Sequence, residues 1–176
     1  MTSREPQKRY KTLSEALKAI RQVDLSLVRA RDSYHRCIEP PGNDTKFFKA
    51  FYDELQNDDK VKEKFRHFQP DTWQRQHGML KDAIERLFEF HEKVELVEQN
   101  PLAEIAIRHN REHANITRDF YGPFVEALIH TVCGFPPRNQ APFDPLCETD
   151  SRAAKAIEDA WRDALRPGID YMQSKY

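Results

Sequence analysis

The chain has 176 residues and a mass of 20.8 kDa, enough for one domain that builds its own core without disulfide or metal staples. Lys and Arg total 28 against 29 Asp and Glu, a formal net charge of −1, which argues against a dedicated nucleic-acid binder or a polybasic membrane binder. Mean hydropathy is −0.84, and no apolar run approaches the roughly 18 residues a membrane-spanning helix needs. The opening Met-Thr-Ser-Arg-Glu-Pro-Gln-Lys-Arg lacks the apolar stretch of a signal peptide, so no secretory leader is expected. Cys37, Cys133 and Cys147 are odd in number, at unrelated spacings, and match neither a zinc pattern nor a disulfide framework; a reducing cytoplasm is the expected setting. Five glycines against 11 prolines leave few hairpin turns and many helix boundaries, so an all-helical domain is expected.

Thr12-Leu-Ser-Glu15 fits a capping box, and Leu13, Leu17 and Ile20 follow on one face of a short leading helix. Asp24 is placed to cap a second helix carrying Leu27, Val28, Tyr34 and Ile38, which Pro40-Pro41-Gly42 stops. Phe47, Phe48, Phe51, Tyr52 and Leu55 form an amphipathic stripe rich in aromatics, broken at Asp58-Asp59, and a short turn then carries Val61, Phe65 and Phe68. Pro70-Asp71 opens a helix whose apolar side is Trp73, Leu80, Ile84, Leu87, Phe88 and His91. Asn100-Pro101 is a cap followed by a first-turn proline, and Leu102, Ile105, Ala106 and His109 share the face that follows. Thr117 starts a helix lined by Phe120, Tyr121, Phe124, Leu128 and Val132 and ended by Gly134, with Pro123 early enough to be tolerated. Residues 135–149 hold four prolines and read as a loop; Asp150 or Ser151 then caps a long helix through Ala154, Ile157, Trp161 and Leu165, which Pro167-Gly168 is expected to interrupt before Ile169 and Met172.

Most of these apolar positions are core and need no functional reading. His109 stands apart because it continues an apolar face. Its pattern fits either a buried histidine satisfied by a backbone carbonyl or a neutral imidazole turned toward a cofactor. Other constellations are weaker. No His-Glu-x-x-His, Gly-x-Ser-x-Gly or phosphate-binding glycine-rich loop is present. Glu112 follows His109 in the wrong order for a helical Glu-x-x-His pair, and Glu89-x-His91 has the wrong spacing.

The order of parts from Asp24 to Tyr171 resembles a globin, specifically the single-domain bacterial globins related to the globin-coupled sensor type. Four stretches carry the resemblance: Phe47-Phe-Lys-Ala-Phe51-Tyr-Asp-Glu-Leu55 running to Val61-Lys-Glu-Lys-Phe65; Trp73-Gln-Arg-Gln76-His77-Gly-Met-Leu80; Ile105-Ala-Ile-Arg-His109 followed by Ile116, Phe120 and Tyr121; and Trp161-Arg-Asp-Ala-Leu165-Arg-Pro-Gly-Ile169-Asp-Tyr-Met172. The resemblance implies an all-α, globin-like helical sandwich with an extra short N-terminal helix. Residues 1–23 would be an extension and 24–176 the globin domain.

The resemblance further implies haem b, with His109 as proximal iron ligand and its second ring nitrogen bonded to a backbone carbonyl one turn earlier, near Ile105. Phe65 would press on the haem at the corner and Phe51 would lie over the distal side, where many bacterial sensor globins carry a hydrogen-bonding tyrosine; Tyr52 should point elsewhere on its helix. Gln76 with Leu80, a polar and an apolar residue four apart, is the favoured distal pair, and His77 is its rival. Ile105, Ile116, Phe120 and Tyr121 would complete the lining. The implied function is reversible binding of a diatomic gas (dioxygen, nitric oxide or carbon monoxide) for sensing, storage or redox handling, with nitric oxide dioxygenase or peroxidase-like turnover at most a side activity. The implied association is a homodimer through the last two long helices. A haem-free globin-fold interaction module is the alternative. The short stretch between Phe65 and Gln76 implies that an extra helix found in animal globins is absent. The leading segment and residues 135–149 acquire no role.

Overall fold

The computed structural model describes the backbone of residues 13–65, 70–92, 100–109, 116–134 and 141–175, and the side chains of 25–64, 76–91, 100–109, 116–134 and 141–175. Among the described residues the fold is all-α: α1 (Leu13–Ile38), α2 (Asn43–Leu55), α3 (Asp59–Phe65), α4 (Pro70–Glu92), α5 (Ala103–His109), a 3-10 turn (Arg118–Phe120), α6 (Tyr121–Cys133), α7 (Leu146–Thr149) and α8 (Ser151–Ser174).

The expected leading helix forms the first turns of α1, not a separate element. Arg21, Gln22 and Val23 carry no glycine or proline, so nothing obliges the helix to break before Asp24. The buried stripe on α1 is Leu27, Ala30, Tyr34 and Cys37; Val28, expected on this face, is 56% exposed. Gly42 turns the chain into α2 with φ 77°, a left-handed conformation that favours glycine. Asp58 does more than break α2: its Oδ1 accepts from the Lys60 and Val61 amides, at 3.0 and 3.1 Å, and so starts α3. The segment expected to be loop throughout contains the single helical turn α7. Asp150 then caps α8 by accepting from the Arg152 amide at 2.8 Å.

α8 runs unbroken through Pro167-Gly168, contrary to the interruption expected there. Proline removes one helix hydrogen bond, but the flanking turns are held by packing. Gly168 is the point of close approach: a Cβ there would overlap Leu87 Cδ2 of α4 and lie 3.0 Å from Leu102 Cδ1 beside α5. The dipeptide therefore makes a notch into which α4 and the start of α5 fit. α8 packs against α1, α4, α6 and α7, and α2 packs against α6. At the centre the fully buried Trp161 meets Tyr34 at 6.1 Å and Phe88 at 5.5 Å between ring centroids, and Tyr34 also meets Phe47 edge-on at 6.4 Å.

The segment before α7 is strapped to the bundle by a buried charge. Asp144 has no exposed surface. Arg36 of α1 grips it with two hydrogen bonds, Nε to Oδ1 at 3.0 Å and a terminal nitrogen to Oδ2 at 2.8 Å, and the Leu146 amide donates to Oδ1 at 3.0 Å. Burial alone would raise the Asp144 pKa, but these partners and Ser33 more than offset it and hold the carboxyl below its ordinary value. The carboxylate therefore contributes stability that is complete above the ordinary carboxylate range and is lost as pH falls through the lowered folded value. Arg36→Ala should cost about 3–5 kcal/mol in denaturant unfolding at neutral pH, the range for stranding a buried charge, and the deficit should shrink in acid as Asp144 protonates.

Candidate functional site

α5 is short, and its start is built from Asn100. The Asn100 side-chain oxygen accepts from the Leu102 amide at 2.9 Å, and its carbonyl accepts from the Ala103 amide at 3.2 Å. Leu102 and Ala106 are buried and Ile105 half-buried, so the face inferred from spacing is the inward one; Ile107 points out. His109 ends this helix. Its carbonyl accepts from the Ile116 amide at 2.9 Å, which returns the chain to the bundle. The 3-10 turn that follows Thr117 delivers Tyr121 to the start of α6.

His109 and Tyr121 meet across that return. The Tyr121 hydroxyl lies 3.2 Å from His109 Nδ1, with ring centroids 6.2 Å apart. This corrects the expected bond from the ring to a carbonyl near Ile105. That carbonyl belongs to the hydrogen-bond ladder of α5, whereas the phenol comes in from α6 at the level of the imidazole. Burial lowers the His109 pKa, so the ring is neutral at pH 7, and burial pushes the Tyr121 phenol up to about 12. With Nδ1 engaged, Nε2 has no partner among the described residues. No group of three His, Cys, Asp or Glu side chains converges to hold a metal ion among the described residues.

An aromatic path leads from α6 to α4. Phe124, one turn along α6 and half-buried, packs edge-on against Phe51 of α2 with centroids 5.5 Å apart. Phe51 in turn meets Tyr52 at 5.2 Å. Phe51 thus faces α6, while its neighbour Tyr52 faces α4, as their successive places on a helix require. The Tyr52 hydroxyl donates to the Gln76 carbonyl at 3.3 Å, and its ring stacks on His77 at 5.8 Å and 18°. His77 also lies 5.9 Å from Phe48, and its pKa is lowered by burial, with Asp44 opposing. His77 is therefore turned toward α2. Gln76 is half-buried, and Leu80, one turn on, is buried. Ile116 and Phe120 are half-buried and pack against the core. The Phe65 and Trp73 side chains lie outside the described residues. Sequence reasoning missed Phe124 as a partner of Phe51 and the Tyr121 hydroxyl as the partner of His109; three-residue spacing from Tyr121 was the available signal for the first, and the second needed the fold.

No protein-family model matches the sequence, and no curated protein matches it. A solved structure does. The crystal structure of a protein from Pseudomonas aeruginosa PAO1, described as structurally highly homologous to a human hemoglobin, superposes with a TM-score of 0.64 at 23% identity, over 86% of this chain and 98% of that one. The likeness is one of fold, and the helical arrangement of this chain is globin-like.

Proposed function

We propose that the chain is a haem-binding globin that takes up a diatomic gas, with residues 24–176 as the globin domain, residues 1–23 as an extension that enters it through α1, and self-association through α6 and α8. The observation that carries this reading is the state of His109: a neutral, half-buried imidazole at the end of α5, with Nδ1 held at 3.2 Å by the Tyr121 hydroxyl and Nε2 left without a partner among the described residues. His109 would hold haem b through its imidazole, and the group would supply an iron that binds a diatomic gas. His109 is the proximal ligand. Its Nδ1–H donates to the Tyr121 oxygen, which fixes the tautomer that frees Nε2 and increases the basicity of the ring.

Gln76 is the distal hydrogen-bond donor and Leu80 its apolar companion on α4. The stacking of His77 on Tyr52 supports this choice, because a ring engaged with α2 is turned away from the face that Gln76 and Leu80 share. Phe51 is an apolar wall, and the part assigned to Phe65 rests on its place at the end of α3 alone. Phe51 has no hydroxyl to donate, so bound gas is stabilised from α4 and not from α2. Ile105, Ile116 and Phe120 complete the lining.

Purified with haem supplied, the chain should show a strong Soret band that His109→Ala removes; its absence in the wild-type protein would favour the haem-free interaction module. Tyr121→Phe should keep the band and move the ferrous iron–histidine stretch to lower frequency in resonance Raman spectra, since the ring loses its hydrogen-bond acceptor. In the ferrous unliganded state His77→Ala should leave the spectrum unchanged. Low-spin bands that disappear in that variant would make His77, not Gln76, the distal residue.

A further inference from the structure

The three cysteines, unrelated in sequence, come together where α6 ends. The last carbonyls of α6 have no partner inside their own helix, and the chain before α7 supplies them: the Phe143 amide donates to the Thr131 carbonyl at 3.4 Å and the Asp144 amide to the Val132 carbonyl at 3.0 Å. This pairing lays α7 against the C-terminus of α6. Cys133 is the last residue of α6 and is buried, with its sulfur 3.9 Å from the Ala154 carbonyl of α8. Cys147, in α7 and half-buried, is within hydrogen-bonding reach of the Cys133 thiol. Cys37 of α1 lies close by but has no exposed surface and is hydrogen-bonded to Ser33.

We propose that Cys133 and Cys147 are a redox-active dithiol that a peroxide converts into an intrachain disulfide. The partly exposed member reacts first. The Cys147 thiolate attacks one oxygen of hydrogen peroxide; an S–O bond forms, the O–O bond breaks, and the departing hydroxide takes up the proton shed by Cys147 and leaves as water. The Cys133 sulfur then attacks the sulfenic sulfur. The S–S bond forms, the S–O bond breaks, and the hydroxyl leaves as a second water with the Cys133 proton. Two thiols give up two electrons, and one peroxide becomes two waters. Burial and the neighbouring Cys147 raise the Cys133 pKa, so the more exposed Cys147 is the first of the two to react. The site stands apart from His109 and does not depend on haem.

The test treats the full chain with one equivalent of hydrogen peroxide and alkylates the remaining thiols under denaturing conditions. The expected product has lost two hydrogens, retains one alkylatable thiol, at Cys37, and yields a peptide that joins Cys133 to Cys147. Cys133→Ser should trap a dimedone adduct on Cys147, and Cys147→Ser should leave Cys133 reduced. A disulfide that includes Cys37, a crosslink only between chains, or three free thiols after treatment would overturn the proposal.

Discussion

Asp144 is a full negative charge with no contact to solvent, and the packing of three segments follows from how that charge is met. Arg36 reaches it from α1. Ser33, one turn earlier on the same helix, hydrogen-bonds both the carboxylate and, at 3.0 Å, the indole N–H of Trp161 on α8. The carboxylate therefore links the two longest helices to the segment that precedes α7. Trp161 can occupy the centre of the aromatic cluster because its one polar atom is satisfied there. If the carboxylate were unpaired, α1, α8 and the strap would have no common polar anchor.

The second constraint is steric. Gly168 removes the atom that would keep α8 away from α4 and Leu102. The same close approach brings Leu102, at the start of α5, against α8. A sequence reading treats Pro-Gly as punctuation because it sees only the backbone; the neighbouring leucines that make continuation favourable belong to other helices.

Many local signals were legible. Asn100 and Asp150 are caps where their side-chain chemistry says they should be, and the stripes of α2, α4, α6 and α8 are buried on the faces that spacing indicates. What escaped were contacts between segments remote in sequence. Tyr121 meets His109 across a return of the chain. Arg36 finds Asp144 over a hundred residues away, and nothing in a proline-rich stretch marks one aspartate for burial. Cys133 and Cys147 looked unrelated because their nearness depends on the pairing of residues 143 and 144 with the end of α6. Val28 and Leu27 are adjacent and equally apolar, so only the observed crossing of α1 shows which one turns inward.

α5 has seven residues, too few to be a stable helix by itself, since nucleation costs more than so short a ladder returns. It is held at one end by Asn100 and at the other by the chain return and the Tyr121 contact with His109. His109 is thus carried by an element with little stability of its own. Any group that engages His109 Nε2 ties down the helix end at the same time, so affinity at that nitrogen and local order of α5 are two expressions of one free energy.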